Sequence, residues 1–251
     1  VLVMDGQLDV HLASMLEQKN EKSRYVRVDS DTIDNIILKD NAATVELTAN
    51  EQNALSSIFK AELPEDKDNN FWVSFAALDA ESMPVMITQQ EFMRRMKEMA
   101  ATQGGMMSFY GQMPNSYNLV VNTNHALIKR LMNNAQQSVG EKVAPIENEI
   151  AELRNIVDSI NTANKDKKDD EIAETDKELI KNNNDKIASL EKDKEALYKD
   201  FAKGEDMVRQ LVDLALLANN MLKGEALSNF VKRSTQFILY KHLYIRIGAN
   251  L

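Results

Sequence analysis

A chain of 251 residues is long enough for one sizeable domain or two small ones, and 43% hydrophobic with 27% charged residues is the balance of a globular protein. A net charge of −9 argues against nucleic acid as a partner, and no run approaches the roughly 18 apolar residues that would span a membrane. The lack of cysteine excludes disulfides and thiolate metal sites, and suits a reducing, cytoplasmic setting.

VLVM (1–4) reads as a short buried strand, and DGQLD after it as a turn. A chain that opens on such a strand reads as part of something longer. Val10, Leu12, Met15 and Leu16 stand at roughly helical spacing, and RYVRV (24–28) alternates as a strand does. Residues 1–28 therefore predict a β-α-β remnant, the end of a domain whose boundary falls near Asp29 to Asp31.

A helix is predicted over 48–63. Thr48 caps it, Glu51 completes a capping box, and Leu55, Ile58, Phe59 and Leu63 form its apolar face. FWVSFAAL (71–78) and PVMI (84–87) read as strands joined by the loop DAESM. Thr88 and Glu91 predict a second capping box, with Ile87 and Phe92 as its hydrophobic staple, for a helix over 89–103 that Gly104 ends. YNLVVN (117–122) is a further strand, and 124–137 reads as a helix.

From Val139 the apolar residues Val143, Ile146, Ile150, Leu153, Val157 and Ile160 follow at alternating steps of four and three, a heptad seam. Pro145 either opens this helix or kinks it. NTANKDKKDD (161–170) can bury nothing and reads as a solvated tip. Ile180, Ile187, Leu190, Leu197 and Phe201 form a returning seam, weakened by Asn183 and Lys194. The prediction for 139–203 is an inserted antiparallel helical hairpin, a coiled-coil arm roughly 40 Å long at 1.5 Å per residue.

After Gly204, the helix 207–222 carries Val208, Leu211, Val212, Leu214, Ala215, Leu216, Leu217, Ala218, Met221 and Leu222, apolar over most of its circumference. KGE breaks it, and a second helix follows with Leu227, Phe230, Val231 and Phe237. A helix apolar nearly all round needs cover on nearly all sides. One cover is the same pair, 206–238, from a second copy, a two-fold four-helix bundle. The other is the chain's own sheet. The fold class expected is thus α+β: a small mixed sheet with flanking helices, the inserted hairpin, and C-terminal helices that form the dimeric bundle.

No chemistry of an active site is legible. His11, His125 and His242 lie in unrelated segments, no glycine-rich phosphate loop appears, and no nucleophile has a nearby base. What stands out is methionine: eight of the thirteen lie between residues 83 and 113. On the helix 89–103, Phe92, Met93, Met96 and Met99 share an arc of about 120° at 100° per residue, while Arg94, Arg95, Lys97 and Glu98 take the rest. The pattern alone is that of a core-packing helix. The choice of Met over Leu or Ile points instead to an adaptable surface that accepts many sequences. Nucleic acid fits poorly because Glu91 and Glu98 offset the basic residues. A membrane surface would favour Trp and more Lys.

VLVMDGQLDVHLASMLEQ, SRYVRVDSD, PVMITQQEFMRRMKEMAATQGG, YNLVVNTNHALIKRL and QLVDLALLANNMLKGEALSNFVKRS, in this order, resemble the C-terminal third of the ninety-kilodalton heat-shock chaperones, the bacterial HtpG type above all. The resemblance covers roughly 1–135 and 205–238. It implies that 1–28 end the chaperone middle domain and that 29–251 form the C-terminal dimerisation domain, with 206–238 as the helices of a homodimer. It also implies that the amphipathic helix 89–103 contacts unfolded or partly folded client proteins through Phe92, Met93, Met96 and Met99, with Met106 and Met107 next. ATP and magnesium would belong to an N-terminal domain outside this chain, so no cofactor is expected here. The arm 139–203 exceeds the family's usual connection, and the tail 239–251 runs past its last helix without the acidic motif that recruits tetratricopeptide cochaperones. The competing reading is a coiled-coil scaffold whose chains pair through the arm.

Overall fold

The computed structural model describes residues 3, 6, 8–27, 45–103, 108–165, 167–168 and 171–248. Eight helices and three strands lie among them, an α+β fold. They fall into two units, each discontinuous in sequence. The first comprises Val1–Leu47, Leu63–Ile128 and Gln210–Leu251, the second Thr48–Glu62 and Lys129–Arg209. No helix among the described residues is long and apolar enough to cross a membrane.

The first unit is built on a small mixed sheet. Strands β1 (Asn69–Ala76), β2 (Val85–Gln89) and β3 (Asn115–Asn122) lie in the order β1-β3-β2, with β1 parallel and β2 antiparallel to the central β3. The registers set Val73, Leu119 and Ile87 in one row and Phe75, Val121 and Val85 in the next. Both rows share a face, because side chains alternate along a strand. Leu119 and Val121 are wholly buried there, and Phe71 stacks on Tyr117 at the row's end. Buried Asn122 closes the far end. Its Oδ1 accepts from the Leu78 and Asn124 amides and its Nδ2 donates to the Asp79 carbonyl, pinning the DAESM loop.

Helix α1 (Asp9–Lys19) forms where the spacing predicts, although Ala13 is its buried residue and Leu12 and Met15 are exposed. Of VLVM only Val3 is described, and it is 93% exposed and not in a strand, against the buried strand predicted; the boundary near Asp29 to Asp31 lies outside the described residues. RYVRV is not a strand over its described residues 24–27. Side chains take the place of a ladder: the Tyr25 amide donates to Glu17 and its carbonyl accepts from Arg95. With Tyr25 so engaged, alternation alone does not make a strand.

The second unit contains α2 (Ala49–Lys60), most of α5 (Ala126–Ala163) and α6 (Glu174–Gly204). The first capping box forms as predicted: Thr48 Oγ1 accepts from the Glu51 amide, and the Glu51 carboxylate accepts from the Thr48 amide at 2.8 Å. Thr48→Ala removes the Oγ1 bond, keeps the backbone amide's bond to Glu51, and is expected to cost about 1 kcal/mol, read as a lower urea midpoint. Leu55, Ile58 and Phe59 are buried to 1% exposure or less, and α2 packs on α6, a pairing the sequence did not suggest.

The arm is the predicted antiparallel hairpin, but its first helix does not begin at Pro145. Helix α5 runs unbroken from Ala126, and Pro145 lies within it. Val139 and Val143 before the proline and Ile150, Leu153 and Val157 after it are all buried, and packing on both sides holds the helix through the missing hydrogen bond. Glu149 to Lys186, Glu147 to Lys194 and Arg154 to Glu191 join the two helices in antiparallel register. Lys194 occupies the seam at 3% exposure, its ammonium 3.3 Å from Glu191 and 3.7 Å from Glu147.

Candidate functional site

Helix α3 (Glu91–Gln103) carries the methionines. It starts two residues later than the capping box predicts. Thr88 is a residue of β2, paired across the ladder with Asn118 and buried with its hydroxyl unbonded. A residue held in a ladder cannot cap, so the helix starts after Gln90, whose carbonyl accepts from the Arg94 amide. The staple fails too: Ile87 is buried, whereas Phe92 is 65% exposed. Gly104, Met106 and Met107 lie outside the described residues.

Glu91 turns instead to the arginines. It accepts from Arg94 and Arg95 at 2.6 Å, and Arg94 also meets Glu98 at 2.5 Å. Arg95 reaches off the helix to Glu17 of α1 at 2.8 Å and to the Tyr25 carbonyl. The hydrogen bond from Arg95 holds the Glu17 carboxyl below its usual range, against an opposing effect of burial. Burial alone would raise Glu91, but the bonds from Arg94 and Arg95 outweigh it and lower it as well. Both carboxylates therefore add stability above the ordinary carboxylate pKa, and that stability is lost as the pH falls through their depressed values. On the next side, Lys97 donates to Asn115 of β3 at 2.7 Å.

The helix is thus fastened along its charged side. Met93, Met96 and Met99 are half-buried, and Phe92 projects. Trp72, Met83 and Phe109 of the same unit are also more than half exposed. Sequence reasoning missed all three, since a lone large apolar residue reads as core, whether in a strand (Trp72), a loop (Met83) or a short helix (Phe109, in α4, Ser108–Gln112).

Helices α7 (Asp206–Ala218) and α8 (Gly224–Gly248) form the C-terminal pair. Helix α7 stops earlier than its apolar run predicts. Asn220 takes the left-handed conformation, φ +56°, and the Met221 amide returns to the Leu216 carbonyl, a helix-ending motif. Arg233 pairs with Asp213, and Gln210 donates to Ser234 at 2.7 Å, holding α7 and α8 antiparallel. Val208, Leu211, Val212, Ala215, Leu216, Leu222 and Phe230 are buried within the chain itself. Leu217, Met221 and Leu227 are half-buried. Leu214, Ala218, Val231 and Phe237 are exposed, the three large ones by 49%, 52% and 48%.

Sequence comparison matches the chain to chaperone proteins. The type is HtpG. The chain is 47% identical to the chaperone protein htpG of Bacteroides fragilis strain 638R, 48% to that of Bacteroides thetaiotaomicron and 44% to that of Porphyromonas gingivalis strain W83. Each match covers 238 residues, 95% of this chain, and the chain spans 35% of the length of these relatives. Neither a protein-family model nor a solved structure matches it. A match over 95% of the chain extends across residues of 139–203.

Proposed function

We propose that the chain is the homodimerisation and client-binding module of an HtpG-type chaperone that assists protein folding in the cytoplasm. On this reading, 1–28 end the middle domain and 29–251 form the C-terminal domain. The observation that carries it is the asymmetry of α3. Its charged side is bonded inward to α1 and β3, while Phe92 is left in water above half-buried Met93, Met96 and Met99. An exposed Phe forgoes about 1.5–3 kcal/mol of burial, and methionines beside it adapt to whatever apolar segment arrives. Unfolded and partly folded proteins present such segments.

Changing Met96 and Met99 to Ser is expected to weaken capture of a non-native protein about tenfold, roughly the loss of 1.4 kcal/mol of apolar contact, with the dimer intact. Fluorescence anisotropy of a labelled, permanently unfolded protein reads the first, and sedimentation equilibrium the second. Unchanged capture returns these residues to the core. The scaffold reading needs an arm seam free to meet another chain. Val139, Val143, Ile150, Leu153 and Val157 are already buried within their own chain, which favours the chaperone module.

A further inference from the structure

We propose that Glu17 is a positioning residue for the client-contact helix, fixing which way the Phe92 and Met96 side of α3 faces and tying it to the segment 9–27. The proposal rests on the client-binding reading above. Most charge pairs of the α3 cluster are internal to the helix: Glu91 with Arg94 and Arg95, and Arg94 with Glu98, are three or four residues apart. Such pairs form whatever direction the helix faces, and they orient nothing. Glu17 differs, because it stands on another element, 78 residues away in sequence. Its carboxylate accepts from Arg95 at 2.8 Å and from the Tyr25 amide at 2.7 Å. The Tyr25 carbonyl in turn accepts from the same Arg95. One guanidinium thus joins α3 to both α1 and the chain that follows it, and α1 packs against α3.

Geometry carries this to the apolar side. At 100° per residue, Glu91, Arg94, Arg95 and Glu98 share an arc of about 100° that Arg95 closes, and Met99, Phe92 and Met96 follow directly beside it, Met99 about 40° and Phe92 about 60° from Arg95. Holding Arg95 therefore sets the direction of Phe92. Lys97 to Asn115 fastens the helix to the sheet at a second place. With Glu17 gone, that bond, the packing of Ala100 and the Arg95 bond to the Tyr25 carbonyl remain, but the ion pair to α1 is lost and the guanidinium is held at one point fewer.

The test uses the whole chain, with hydrogen exchange over 91–103 and anisotropy of fluorescent, reduced and carboxymethylated α-lactalbumin as the non-native probe. Glu17→Gln removes the charge and leaves an oxygen for the Tyr25 amide. It is expected to speed exchange over 91–103 and to weaken capture about three- to tenfold. On a background of Met96→Ser with Met99→Ser it should cost no further capture, which general destabilisation would not spare. Arg95→Lys, which keeps charge but loses the two-pronged geometry, should act in the same direction, and it stands in if Glu17→Gln fails to fold. Unchanged exchange and capture in Glu17→Gln, or full additivity with the methionine changes, overturns the proposal. If the methionine variant captures the probe normally, the client reading falls. The positioning role is then decided by exchange alone, faster supporting it and unchanged overturning it.

Discussion

Phe59→Ala is expected to cost about 3–5 kcal/mol, the usual range for emptying a fully buried aromatic site. Phe59 has no exposed surface, and Leu55 and Ile58 beside it have almost none. Their cover includes the returning arm helix α6, against which α2 packs. A helix of 12 residues has little stability of its own, so a void at Phe59 loosens α2 as a whole. The loss should be seen first in helical circular dichroism. Trp72, the one tryptophan of the chain, sits in β1 of the other unit and reports on that unit by fluorescence. Two urea transitions, the dichroism one moved to lower concentration and the fluorescence one nearly in place, are the expected outcome. A loss below about 1 kcal/mol would show that α2 contributes little to the core.

Leu214→Asp combined with Val231→Asp is expected to halve the mass measured by sedimentation equilibrium. Both side chains are about half exposed on helices whose opposite sides are buried, and Ala218 and Phe237 extend the uncovered area. In a two-fold bundle each substitution appears twice, so four carboxylates enter the contact. Burying an unpaired carboxylate costs several kcal/mol, enough to dissociate a dimer of ordinary affinity. Phe92→Ser, far from these helices in sequence, should leave the mass unchanged. A dimer that survives both aspartates would place the pairing surface elsewhere and leave the exposed residues of α7 and α8 without a role in it.

Local signals with short reach were legible in the sequence. The capping box at Thr48 and Glu51 needs only four residues, the three sheet strands follow short apolar runs rich in Val, Phe and other strand formers, and the arm's first seam repeats regularly. The failures come from contacts between distant residues or from single backbone conformations. RYVRV alternates well, yet Glu17 and Arg95 occupy the backbone groups of Tyr25. Thr88 has the spacing of a cap, yet its place opposite Asn118 in the ladder prevents it. Asn220 ends α7 through one left-handed residue, while the apolar run continues to Leu222. At the candidate site, the methionine side of α3 was visible as an arc on a helix. The bond from Arg95 to Glu17 was not, because nothing local marks a pair so far apart.

Helix α2 lies ahead of the sheet in sequence, yet it packs on α6. During synthesis the chain must therefore extend on the order of 140 residues beyond Phe59 before that face can be covered, about ten seconds at typical elongation rates. The other unit waits as well, since Gln210–Leu251 belongs to it. Neither core can close early, and a nascent chain of this sequence carries an uncovered Leu55, Ile58 and Phe59 until nearly all of it has left the ribosome. For that interval, the chain presents the same kind of apolar segment that its methionine helix is proposed to hold.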